Sequence, residues 1–232
     1  MPGTAFSYAL LLALAIALLR AAFTDIRRRE IGNGLNLAIA LAAPLWWWAA
    51  GFGWADIAWQ IGLAAVTFAL ACVLFALRQM GGGDVKLLAA LALWFVPASF
   101  GQLIVLMAMI GGGASIAMAA FNMERVPGEK LRDALGWLAA LGWVWAAGAI
   151  VYALAVHRPV VSPERLSAIH AAVPQGWMLA LAALAVAALF LSGFRHIMRR
   201  QKSRLPIPYG VAISAAALWV MGEQALSTSL VG

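Results

Sequence analysis

The chain has 232 residues, of which 65% are hydrophobic and 11% charged, and its mean hydropathy is +0.91. A soluble chain of this length cannot bury so much apolar surface and still present a wettable exterior, so lipid must cover much of it. The net charge of +7 would suit nucleic acid in a soluble protein. Here the basic residues sit in short clusters between apolar runs, which is how membrane topology is encoded, so nucleic acid is not the expected partner.

Eight apolar stretches follow in chain order, near residues 5–23, 35–50, 56–77, 86–98, 102–121, 136–156, 176–194 and 207–226. Most approach the roughly 20 residues needed to cross the hydrocarbon core, the second and fourth being short. The expectation is an all-α, polytopic bundle of about eight helices forming a single membrane domain. The first stretch lacks a preceding basic region, and its first positive charge is Arg20, so it reads as a retained helix with its N-terminus outside. That choice places Arg20, Arg27, Arg28, Arg29, Arg78, Lys86, Arg125, Lys130, Arg132, Arg195, Arg199, Arg200, Lys202 and Arg204 on the cytoplasmic side. Only Arg158 and Arg165 fall outside, a bias large enough to set the topology.

The aromatic residues read as scaffolding. Trp46, Trp47, Trp48 and Trp54 cluster near the outer end of the second stretch, and Trp137, Trp143 and Trp145 mark the sixth. Interfacial anchoring and helix packing explain both groups. Gly111, Gly112 and Gly113 suit a close helix approach or a bend. Cys72 lies inside an apolar run and, as the single cysteine, excludes an internal disulfide or a thiolate zinc site.

An ionisable group at membrane depth is costly, which makes it a functional candidate. Glu30, Glu124, Glu129, Asp133 and Glu164 lie among loop charges, where solvation explains them. Asp56 and Glu223 fall near outer helix ends. Asp25 and Asp84 remain, both mapped to the cytoplasmic boundary. Asp25 leaves the first apolar run and enters Arg27-Arg28-Arg29; Asp84 follows Gly81-Gly82-Gly83 at the start of the fourth stretch. Glycines admit backbone conformations closed to other residues and allow close approach of another chain.

Two readings of this pair stay open on the residues alone. Asp84 can serve as a helix cap and Asp25 as a loop partner for arginine. Alternatively, two carboxylates brought together share a proton, so that one can activate water while the other protonates a peptide carbonyl, with no metal or nucleophilic side chain. Other chemistries find little support. His157 and His170 fall outside while His196 falls inside, and no HExxH, GxSxG or phosphate-loop pattern occurs.

The motifs around the two aspartates resemble those of a known family. Gly81-x-Gly83-Asp84-x-Lys86 is similar to the GxGD-x-K signature of the type IV prepilin peptidases, which are intramembrane aspartyl proteases. Asp25-Ile-Arg-Arg-Arg-Glu-Ile31-Gly32-Asn33 resembles the family's first aspartate segment, and Pro208-Tyr209-Gly210, within residues 205–213, resembles the entry to its last helix. The resemblance implies Asp25 and Asp84 as the catalytic pair, with Gly81, Gly83, Lys86 and Asn33 in support and no cofactor. It implies prepilin-like precursors as substrates, cut after a short basic leader at the cytoplasmic face of a prokaryotic inner membrane, and pilus assembly or secretion machinery as partners.

With no four-cysteine insert and no methyltransferase part, the chain looks like the small peptidases of tight-adherence pili. Two departures stand out: Gly32 replaces the expected proline, and residues 122–204 form an insertion, read as two added helices, between core segments 1–121 and 205–232. The rival reading is a non-enzymatic transporter or assembly factor of the same fold that uses the aspartates as an ion or proton site.

Overall fold

A computed structural model describes residues 5–124, 128–156, 159–173, 175–202 and 208–231, with side chains in the last helix described as far as Ala225. Arg125, His157, Arg158, Arg204 and residues 205–207 of the third motif lie outside the described residues. Among the described residues the secondary structure is helical: α1 (Ala5–Arg28), α2 (Asn33–Ala50), α3 (Trp54–Ala76), α4 (Gly82–Ala92), α5 (Pro97–Phe121), α6 (Lys130–Ala155), α7 (Pro163–Ala172), α8 (Gly176–Arg199) and α9 (Tyr209–Val231). Helices are what an apolar chain in lipid must form, because each satisfies its backbone polar groups internally.

Eight helices were expected and nine are found among the described residues. The additional one is α7, a polar segment within residues 157–175, started by Pro163 and by the Ser162 hydroxyl accepting from the Arg165 N–H at 3.3 Å. Among the described residues, five helices are long and apolar enough to cross a membrane: α1, α3, α5, α6 and α8. Only 6% of the apolar window of α8 is buried within the protein, so its exposed Leu184, Val186 and Leu191 require a lipid environment.

The chain divides into two compact units, Met1–Gly111 with Pro208–Gly232, and Gly112–Ile207, the boundary falling within α5. In the first unit, α1 packs on α2 and α9, and α4 packs against α2, α3 and α9. Gly111 lies where a β-carbon would come within 2.9 Å of the Tyr209 ring, which accounts for the close approach expected there.

The short α4 is secured at its far end by side chains from its neighbours. Trp47 of α2 donates its indole N–H to the Leu93 carbonyl at 2.7 Å, and the fully buried Gln60 of α3 donates to the Phe95 carbonyl at 3.0 Å. Trp94 reciprocates by donating to the Ile39 carbonyl of α2 at 2.9 Å, and its ring stacks on Trp46. Two of the clustered tryptophans are therefore packing and capping residues. Trp48 and Trp54 remain exposed, as interfacial anchors should be.

The second unit centres on α6 against α8. Gly193 allows the contact, since a β-carbon there would lie 2.6 Å from that of Ala139. Ile197 is buried among Ala119, Ala120, Met123 and Ala140. A polar clasp closes one end of this pair: His196 meets Asp133 at 2.8 Å and Arg200 donates to Glu129 at 2.7 Å. Glu129 and Asp133 are thus paired rather than merely solvated, because the α6 start and the α8 end are brought side by side.

The caps on α4 are testable. Gln60→Leu leaves the Phe95 carbonyl without its buried donor and is expected to cost about 1–3 kcal/mol, measured as a lower unfolding midpoint in detergent. An unchanged midpoint would show that the carbonyl finds another donor.

Candidate active site

Asp25 lies in the last turn of α1, not in a loop, and is 6% exposed. Its carboxylate meets the backbone N–H groups of Gly210 and Val211, at the start of α9. Its Oδ2 has no hydrogen-bond partner among the described residues. Gly210 is required by space: a β-carbon there would lie 2.6 Å from Ile31 Cδ1 and 2.8 Å from Asp25 Oδ2. The third motif therefore contributes backbone to the first aspartate.

Asp84 is the third residue of α4, half-buried, and its Oδ2 accepts the Gly81 N–H at 3.3 Å. This is the N-terminal cap expected of it. The glycines preceding it act through space more than conformational freedom. Gly81 has φ −74° and ψ 149°, open to any residue, whereas a β-carbon on Gly83 would lie 3.1–3.4 Å from Ile31 Cβ, N and O. Gly83 thus lets the start of α4 lie directly against the connection between α1 and α2.

The start of α2, just after that connection, supplies two amide side chains. The Asn33 Oδ1 accepts from Lys86 Nζ at 2.7 Å, so Lys86 ties α4 to the first turn of α2. Asn36, 4% exposed, donates its Nδ2 to the Gly83 carbonyl at 3.1 Å. Asn36 was not singled out from the sequence. The signal was available, since an amide at helical spacing from Asn33 within an apolar run passes the same burial-cost test as the acids.

Both aspartates line one cavity of about 840 Å³, together with Arg20, Thr24, Arg28, Arg29, Glu30 and the glycine loop. Gly32, where proline was expected, lies on its wall with open space at the β-carbon position. Among the predicted site residues, Asp25, Asp84, Gly81, Gly83 and Asn33 line this cavity, and Lys86 reaches it through Asn33.

The α4 helix, at eleven residues, is too short to cross a membrane. The Asp84 carboxyl at its start is raised to about 6, first by loss of water on burial and second by the negative charge of Asp25, with the Gly81 N–H acting against both. A carboxyl of this kind and an adjacent carboxylate provide a proton donor and a proton acceptor in the same water-accessible space.

The fold and site together define a helical membrane protein with a cavity lined by aspartates from two separate helices. Residues 12–121, which carry both aspartates, match the model of the type IV leader peptidase family. The first two motifs fall within that span, and a peptidase of leader-peptidase type is the activity the match supports. No curated protein and no solved structure matches the chain.

The raised Asp84 has a consequence for stability. A carboxyl raised on folding favours the fold while protonated, so its contribution is complete below about pH 4 and is lost as pH rises through about 6. Asp84→Asn, which keeps the cap oxygen, is therefore expected to be more stable than the parent above about pH 7, on the order of 2 kcal/mol. The two should converge below about pH 4 in thermal unfolding. A variant less stable at neutral pH would contradict the assigned environment.

Proposed function

We propose that the protein is a membrane-embedded aspartyl endopeptidase that removes a short basic leader from prepilin-like precursors. The observation that carries this reading is the cavity lined by both Asp25 from α1 and Asp84 from α4, within the segment that matches the leader peptidase family model. One carboxylate of the pair takes a proton from water as the water oxygen attacks the scissile carbonyl carbon. The protonated partner donates to the carbonyl oxygen. As the tetrahedral diol collapses, one of its hydroxyl protons returns to the ionised carboxylate, the C–N bond breaks and the protonated carboxyl gives its proton to the leaving amine, so the pair again holds one proton. Backbone N–H groups of Gly210 and Val211 meet the Asp25 carboxylate and orient it in the cavity.

In this reading the N-terminus is outside, and the cavity faces the cytoplasm of a prokaryotic inner membrane. The cluster Arg27, Arg28 and Arg29 at the end of α1 supports that orientation. The tight-adherence type of precursor is the substrate we favour, and pilus assembly or secretion machinery would receive the product. Gly81 and Gly83 shape the loop, while Asn33 and Lys86 hold α4 to α2. Residues 122–204 are an insertion outside the catalytic core, and the acid–base chemistry requires no cofactor.

The test is cleavage of a precursor carrying a basic leader and an apolar stem, by the purified protein in liposomes. The parent protein is expected to release the leader, and Asp25→Asn and Asp84→Asn are each expected to lose at least about 1,000-fold in kcat, as loss of an acid or base with its electrostatic role would cause. Processing that survives both substitutions would refute the dyad. An ion-coupled transporter would instead show no cleavage and an ion flux sensitive to the same substitutions.

A further inference from the structure

The carbonyl to which Asn36 donates belongs to Gly83, the residue immediately before Asp84. That carbonyl is an acceptor only, so the nitrogen of the Asn36 amide must face it, and the orientation of the side chain follows from chemistry. The amide oxygen then points the other way, buried and without a hydrogen-bond partner among the described residues. An asparagine whose purpose was only to fill space could be replaced by leucine, its neighbour on both sides at Leu35 and Leu37. Burying an amide with half its capacity unmet is instead a cost that needs a reason.

The second contact supplies it. Asn33 and Asn36 lie three residues apart on α2, and they hold Lys86 and Gly83, three residues apart on α4. Asp84 lies between those two points. Within the first turn of α4, Asp84 caps the Gly81 N–H at 3.3 Å and the Val85 N–H donates to the Gly81 carbonyl at 3.1 Å, bonds that hold the turn together but do not tie it to another helix. Close packing of Gly83 on Ile31 resists only compression. The directional bond from Asn36 on α2 ties this turn to its neighbour at the residue before Asp84.

We infer that Asn36 is a positioning residue: by holding the Gly83 carbonyl it fixes the peptide that carries Asp84, and so the placement of the Asp84 carboxylate relative to Asp25. It does not line the cavity and touches no reacting group. Its effect is therefore on the chemical step, because small misplacement of a catalytic group lowers turnover far more than it lowers binding. The proposal rests on the peptidase reading, and its test separates the two.

Asn36→Ala and Asn36→Ser would be compared with the parent and with Asp84→Asn in the liposome cleavage assay. Serine at this position can satisfy its hydroxyl within its own helix, which keeps α2 intact while removing the reach to Gly83. Each variant is expected to lose at least about tenfold in kcat with KM within about twofold of the parent. Parental kcat in either variant, or a rise in KM alone, would overturn the inference.

A readout independent of activity runs in parallel. Hydrogen exchange at the backbone amides of residues 82–86 is expected to quicken at least about fivefold in Asn36→Ala, while α1 and α9 exchange at the parental rate. Unchanged exchange in this loop would also overturn the inference. Should the parent fail to cleave, or Asp84→Asn retain cleavage, the peptidase reading fails and the exchange result alone decides whether Asn36 holds the loop.

Discussion

The first unit depends on the fact that α4 has too few residues to cross a membrane. Eleven residues extend about 16 Å against a hydrocarbon core of about 30 Å, so this helix is positioned by its neighbours at both ends. At its end, Trp47 and Gln60 satisfy the carbonyls of Leu93 and Phe95. At its start, Asp84, Asn36 and Asn33 engage Gly81, Gly83 and Lys86. The helix is held by hydrogen bonds from α2 and α3 rather than by length, and its N-terminus is thereby placed beside the end of α1.

This arrangement produces the site. A carboxylate at a helix start is ordinarily stabilised by the backbone N–H groups and the helix dipole. Here burial and the charge of Asp25 outweigh those effects and leave the carboxyl near 6. Asp25 enters from another helix, its carboxylate met by the α9 backbone and one oxygen left for a ligand or water. Two acids from separate helices thus line one cavity, each with its own backbone partner. The glycines at 83 and 210 are what permit the three segments to close together.

Much of this was legible in the sequence, for identifiable reasons. Lipid as solvent follows from composition, and the cost of burying a charge isolates Asp25 and Asp84 from the other acids. Glycine beside an aspartate announced a close approach. What the sequence hid was the identity of the neighbours. That Gly210 seats Asp25, and that Gln60 and Trp47 cap α4, depends on contacts between residues dozens to well over a hundred positions apart, which no local pattern encodes. Asn36 escaped because the depth test was applied to acids and not to amides. The pairing of Asp133 with His196 escaped because the first turn of α6 read as a charged loop margin. Helix α7 was missed because its residues are too polar to register among apolar stretches.

The central claim is that Asp25 and Asp84, 59 positions apart in sequence, line one cavity. Cross-linking measures this directly. In a Cys72→Ser background, Asp25→Cys with Asp84→Cys would be treated in native membranes with a short bifunctional thiol reagent, and the chain cut between the two positions to reveal the link. The account predicts an efficient intramolecular cross-link, absent when either cysteine is omitted or when Asp25→Cys is paired with a cysteine at Trp54. Equal modification of both thiols without a link would contradict it.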